Sequence, residues 1–304
     1  EAINLSHFIG AVHGMEQMMG RSANPLRDIL NYASDKFLKE LDLWYILTVM
    51  GTDKDTGKVV VRGLYIGNDI KCYNLACQLS LKLNFTMLDR APKKMVVKLD
   101  ADEFHSTWLG NKAIYRTRMA MADDGELIVL APGVKQFGED DTIDKLIRKH
   151  GYVGTPAVMK AMSNDSDLRE NLSAVAHLIH GSTEGRFHVT YCPGYLTKEE
   201  ILNVGFQYGI LADMELKYGN LSDGWNEVDD GTGNLEEVFY ISNPALGLWA
   251  VESRFADYDA EETNTDTTPM RLSGIDQKTI NTSDKQVAND HSGGVGGWKK
   301  PAKA

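Results

Sequence analysis

The sequence predicts an α/β protein with a mostly parallel sheet flanked by helices. Three observations carry that expectation. From about residue 94 onward, short runs rich in β-formers alternate with stretches of helical spacing, the order that a parallel sheet with helical crossovers demands. Several runs, "GELIVLAPG" (125–133) above all, are apolar almost throughout, as a buried strand is. The 304 residues, 42% hydrophobic and 25% charged, have the balance of a soluble globular chain long enough for two domains.

In chain order, residues 25–40 ("PLRDILNYASDKFLKE") place Leu26, Ile29, Leu30, Ala33 and Phe37 on one helical face. "LWYILTVMG" and "GKVVVRGLYIG" are strands joined by the hairpin loop "TDKDTG". "DIKCYNLACQLSLKLNF" has helical spacing, with Asp69 as an acid in its first turn. "APK" (91–93) ends this unit and marks a domain boundary. Beyond it, "KKMVVKLD" reads as a strand, "GNKAIYRTRMAMA" as a helix and "GELIVLAPG" as a strand. Residues 140–150, 155–162 and 167–181 read as helices and "RFHVTYCPG" as a strand. "TKEEILNVGFQYGILADMELKYG" reads as one long helix opened by a Thr197–Glu200 capping box, and "EEVFYISNPALGLW" begins as a strand. Residues 256–304 are poor in large apolar residues and read as a flexible tail.

Composition excludes several functions. A net charge of −11 argues against nucleic acid as the main partner. No run approaches the roughly 18 apolar residues of a membrane span, and the start "EAINLSHFIG" lacks the pattern of a secretory signal. Cys72, Cys77 and Cys192 form no CxxC, and three cysteines make no disulfide framework, so buried reduced thiols in a cytoplasmic protein are expected. GxGxxG after a strand, GxxxxGK[ST], HExxH and GxSxG are all absent.

In parallel sheets ligands sit beyond the carboxyl ends of the strands. Interest therefore falls on "DADEFHSTWLGNK", "APGVKQFGED", "CPGYL" and "SNPALG". "HSTWLGNKAIYRTRMA" (105–120) is the densest in chemical groups. Lys112 falls in the first turn of its helix, where backbone N–H groups could also face an anion, with Arg116 one turn on and Arg118 pointing elsewhere. An ammonium there could anchor a carboxylate, and His105 and Trp108 could line the same pocket. The same spacing also describes a solvated basic face with a tryptophan in the core. His177 and His180, at i and i+3, could share a metal but have no third ligand nearby, and read first as core or C-terminal capping histidines. His188, alone in a strand, reads as a core residue.

Taken in order, the segments resemble the nickel-dependent lactate racemase family, whose members invert 2-hydroxy acids with a nickel-pincer nucleotide. The resemblance runs from Glu1 to about Trp249. It rests on "EAINLSHFIG", "GRSANPLRDIL", the paired strands, "LGNKAIYRTRMAMADDGELIVLAPG" and "GRFHVTYCPGYLTKEEILNVGF". It implies that Glu1, Ile3 and His7 match the family's E-x-I-x-x-x-H run, making His7 the imidazole ligand of nickel. The lysine that bonds covalently to the cofactor, the acid/base histidines and the early substrate residues are then expected upstream of Glu1. Residues 1–90 become the end of the cofactor-binding domain of a two-domain parent, 91–255 a second α/β domain closing over the substrate, and 256–304 the tail. The isolated fragment is expected to be inactive.

Lys112 matches the family's substrate lysine and would hold the carboxylate. Two positions depart from the pattern. Leu109 stands where the family has glutamine, and residues 170–172 read "ENL" where it has His-Lys-Ala. These departures admit a 2-hydroxy acid larger than lactate, a sugar acid or a dicarboxylate. The implied reaction takes hydride from C2 and returns it to the other face of the bound 2-keto acid. The alternatives are a non-catalytic organic-acid binding or regulatory module of the same fold, and a conventional oxidoreductase with an upstream nucleotide site.

Overall fold

A computed structural model describes residues 2–53 and 55–255, so the expected tail at 256–304 lies outside the described residues. The first portion comprises helices α1 (Ala2–His13), α2 (Met15–Met18) and α3 (Pro25–Phe37), strands β1 (Tyr45–Thr52) and β2 (Val59–Gly67), helix α4 (Ile70–Asn84) and strand β3 (Phe85–Leu88). Helix α3 starts where Asn24 accepts a hydrogen bond from the Arg27 N–H at 2.9 Å, with Pro25 supplying a first-turn φ and no unpaired donor. Asp69 is the N-cap of α4 rather than an acid inside its first turn. Its carboxylate accepts from the N–H groups of Lys71 (3.0 Å) and Cys72 (3.2 Å), which no preceding carbonyl could satisfy. The hairpin turns Val49 onto α4 and leaves the paired residues Ile46 and Ile66 exposed on its other face.

The remaining elements are β4 (Lys94–Lys98), α5 (Thr107–Gly110), α6 (Lys112–Tyr115), β5 (Gly125–Ala131), α7 (Asp141–His150), α8 (Thr155–Asn164), α9 (Ser166–Glu170), α10 (Leu172–His180), β6 (Phe187–Pro193), α11 (Lys198–Asn203), β7 (Gln207–Tyr208), α12 (Leu211–Tyr218), β8 (Gly224–Asp229), β9 (Leu235–Ile241) and β10 (Leu248–Val251). Six strands form one sheet in the order β7-β6-β5-β4-β9-β8, parallel throughout except for the antiparallel edge pair β8–β9. The expected mostly parallel sheet with flanking helices is the fold.

Side-chain parity explains why these strands look apolar throughout. Met95, Val97, Leu127, Val129, Val189 and Tyr191 face one core layer, under α7, α8 and α10. Val96, Ile128, Leu130 and Cys192 face the other, with Leu211 and Met214 of α12. A strand buried on both faces has no polar side to show.

Three expected helices are broken, each for a local reason. The stretch 197–219 divides because Gly205 takes φ +92° and Tyr208 pairs with Tyr191 at the sheet edge, so β7 separates α11 from α12. Of the helix expected from Gly110 only the single turn α6 forms. Beyond Tyr115 the chain is drawn into pairing with β10, where Trp249 N–H donates to Arg116 O (3.0 Å) and Val251 N–H to Met119 O (3.2 Å). The stretch 167–181 divides at Asn171, whose side chain accepts from the Ala174 N–H at 3.0 Å and restarts the helix. The capping box at Thr197–Glu200 forms as the sequence indicates.

Candidate functional site

The segments after β4 and β5 continue side by side beyond the sheet. Lys135 N–H donates to His105 O (3.0 Å), Thr107 N–H to Gln136 O (3.1 Å) and Trp108 N–H to Phe137 O (2.9 Å). Two Pro-Gly pairs permit this crowding. A Cβ at Gly133 would collide with the Ala101 carbonyl, and one at Gly194 with the Pro132 carbonyl. Ser106 caps α5 by accepting from the Leu109 N–H and donates its own hydroxyl proton to Glu139.

Lys112 opens α6 and is half-buried, with its ammonium over the ring of the fully buried Phe104, 5.5 Å from the centroid. Among the described residues no carboxylate or carbonyl accepts from it. α5 and α6 are single turns of four residues, too short to direct a helix dipole at an anion, so charge selection at this position rests on the side chain. The Arg116 Nη1 donates to the carbonyls of Ala245 (2.9 Å) and Gly247 (3.0 Å), fastening the segment after β9, while its buried Nε has no hydrogen bond among the described residues. His105 is exposed next to Phe104. Trp108 is half-buried and stacks on His177, centroids 4.5 Å apart at 31°.

Behind Trp108 lies a buried hydrogen-bonded row whose protons can be placed by counting. Thr107 donates to Phe137 O (3.0 Å), so its hydroxyl can only accept from Tyr152 (2.8 Å). The Tyr152 oxygen, having spent its proton, accepts from His177 Nε2 at 2.9 Å. His177 is therefore the neutral Nε2–H tautomer, and burial holds its pKa down at about 3. Burial pushes the Tyr152 phenol well above its usual value, so neither group ionises near neutrality.

The third part of the site lies between α1 and α10, which pack closely against each other. His7 is exposed on α1, and His180 ends α10. Burial first, and then the charges of Arg118 and His7, hold the His180 pKa down at about 4. The His180 ring faces Tyr115 at 5.9 Å, three residues along the same turn from Lys112. Its Nε2 is buried with no hydrogen bond among the described residues. Glu1 and the Ile3 side chain, the rest of the expected nickel-ligand run, lie outside the described residues. The sequence reading weighed His177 and His180 as a metal pair or as core and capping histidines. The structure puts His177 in the buried row and His180 at the end of α10 with its ring against Tyr115.

No group of three His, Cys, Asp or Glu side chains suited to a metal ion occurs among the described residues. The three cysteines are free. Among the described residues, no helix is long and apolar enough to cross a membrane.

No protein-family model matches the chain, and no curated protein matches it. Solved structures do, among them these two. A Thermotoga maritima protein solved by a structural-genomics consortium superposes with TM-score 0.63 at 22% identity, over 81% of this chain and 58% of that one. The lactate racemase apoprotein of Thermoanaerobacterium thermosaccharolyticum superposes with TM-score 0.50 at 13% identity, over 74% of this chain and 49% of that one. At these identities the likeness establishes the fold: the chain has a lactate-racemase-like fold and spans about half the length of these two structures.

Proposed function

We propose that this chain is the later part of a 2-hydroxyacid racemase or epimerase, an isomerase that works with a nickel-pincer nucleotide. Residues 1–90 belong to its cofactor-binding domain and 91–255 to the domain that closes over the substrate. The observation that carries the reading is the Lys112 ammonium: half-buried, beyond the carboxyl end of β4, without an acceptor among the described residues, on a lactate-racemase-like fold. A half-buried cation with no counter-charge beside it is a seat for an anion.

In this reading Lys112 takes the carboxylate of the 2-hydroxy acid. The apolar Phe104 ring beneath it lowers the local dielectric and strengthens that pairing. Trp108, braced by His177, walls the pocket, and His105 stands at its rim. Arg116 holds the 242–247 segment in place. His7 supplies one imidazole to nickel, and the covalent lysine and the acid/base histidines come from upstream sequence. When bound, the cofactor supplies an electrophilic carbon that accepts the C2 hydrogen as hydride and gives it back.

A second reading, a non-catalytic organic-acid binding module, draws support from the two departures. Leu109 packs on the core and Asn171 caps α10, so both positions serve the fold. The discriminating experiment incubates the parent-length protein, loaded with cofactor, with chiral 2-hydroxy acids in D₂O and follows inversion and C2 deuteration by proton NMR. Inversion with the C2 hydrogen retained is expected. Inversion with deuterium incorporated would replace hydride return by proton abstraction, and acid binding without inversion would establish the binding module.

A further inference from the structure

We propose that the acid bound at Lys112 carries a second anionic group, met by Lys135 and His105. The inference rests on the reading of Lys112 as a carboxylate anchor and extends it to the class of substrate.

The geometry comes from the paired loops. The backbones of His105 and Lys135 are hydrogen-bonded to each other at 3.0 Å, so both exposed side chains leave the same point of the rim. His105 directly follows Phe104, whose ring carries the Lys112 ammonium. Beyond the carboxyl ends of β4 and β5, the Lys112 ammonium thus lies over the Phe104 ring, and His105, the next residue, shares a backbone hydrogen bond with Lys135. None of the three side chains has a hydrogen-bond acceptor among the described residues.

Among the described residues no carboxylate forms an ion pair with them, and several nearby ones accept from other donors. Asp100 accepts from the N–H groups of Asp102 (2.8 Å) and Glu103 (3.2 Å), and Glu139 takes the Ser106 hydroxyl. Asp144 accepts from Phe137 N–H (2.7 Å) and Gly138 N–H (3.1 Å) and pairs with Arg148. Asp102 and Glu103 are exposed on the same loop, so the region as a whole is not basic. What it offers is a local position between Lys135 and His105, next to the cation that holds the first carboxylate. A monocarboxylic acid would leave Lys135 and His105 without a partner, whereas a dicarboxylic acid occupies both ends. An imidazole N–H donates to a carboxylate whether or not the ring is charged, so His105 serves in either state.

The test compares lactate and malate, which share the 2-hydroxy acid head and differ in the second carboxylate, by calorimetric titration of the cofactor-loaded protein. Malate is expected to bind about tenfold more tightly than lactate, a difference of about 1.4 kcal/mol. Lys135→Gln and His105→Gln change exposed side chains, so the fold is kept. Lys135→Gln should pull the malate-to-lactate ratio toward one while leaving lactate affinity unchanged, and His105→Gln should weaken malate more than lactate. Lys112→Ala should weaken both acids. Equal affinities in the unaltered protein, or a preference that survives both glutamine variants, would overturn this proposal and leave the Lys112 assignment standing. Lactate affinity indifferent to Lys112→Ala, or no binding of either acid, would overturn both.

Discussion

Glu16 and Arg118, 102 residues apart in the chain, form a salt bridge with Arg118 Nε donating to Glu16 Oε1 at 2.9 Å, and the arginine side chain is 4% exposed. Arg186 donates to the same oxygen at 2.7 Å and also to the carbonyls of Arg118 and Met121. One carboxylate on α2 thus fastens the helices that carry His7 to the turn that follows Lys112. The two halves of the proposed site are held in register by this contact.

Removing the carboxylate leaves a buried guanidinium without its counter-charge, which is costlier than never having built the pair. Glu16→Gln keeps the shape and is expected to destabilise the protein by about 3 kcal/mol. A urea unfolding midpoint measured at constant m would report it. A loss below about 1 kcal/mol would place the contact among ordinary surface pairs.

Much of the fold was legible in the sequence because it is written locally. Val96, Val97 and the "GELIVLA" run announce buried strands by being apolar on both faces, and Thr197 and Glu200 announce α11 because a capping box spans only four residues. The broken helices were hidden because their breaks are decided elsewhere. Gly205 is tolerated within a helical pattern until Tyr208 is claimed by Tyr191, and Arg116 through Met119 look helical until β10 arrives from over 100 residues away. The same holds for the site. Lys112 stood out by position, whereas the Glu16 latch, the Lys135–His105 adjacency and the contact of His180 with Tyr115 depend on long-range packing that no spacing rule encodes.

His177 ties stability to pH. Its folded pKa of about 3 lies below the ordinary value near 6.5, so below about pH 6.5 the unfolded chain binds a proton that the folded protein refuses. The stabilisation is complete above pH 6.5 and is lost as pH falls toward 3. By pH 5 this amounts to about 2 kcal/mol from this residue. His177→Gln retains a donor to Tyr152 without a titrating group, and its stability should fall by about 2 kcal/mol less between pH 7 and pH 5. Parallel pH–stability curves for the two proteins would show that the imidazole is not buried neutral.

Gly133 and Gly194 let successive loops touch at the carboxyl rim. Alanine at either position would push its methyl into a neighbouring carbonyl, and neither oxygen is the flexible end of a side chain. Gly133→Ala is expected to cost about 2 kcal/mol and to displace the loop that carries Lys135. Weaker binding of a 2-hydroxy dicarboxylate, with monocarboxylate affinity less affected, is the accompanying result.

The buried row from Phe137 to His177 predicts an asymmetry between single and double substitution. Tyr152→Phe removes one oxygen and keeps the ring, which stacks on Phe206 with centroids 4.6 Å apart. His177 Nε2–H then has no acceptor, and Thr107 still satisfies itself on Phe137 O. The expected loss is about 2 kcal/mol, the penalty of an orphaned buried donor. Replacing His177 by leucine in the same protein removes the orphan, so the double variant should be less destabilised than the sum of the singles by 1 kcal/mol or more, by order of magnitude. Trp108 loses its stacking partner only when His177 is replaced. A tryptophan emission shift in the His177→Leu proteins but not in Tyr152→Phe would separate the brace on Trp108 from the hydrogen-bonded row behind it. Additive losses would mean that the proton order deduced for the row is wrong.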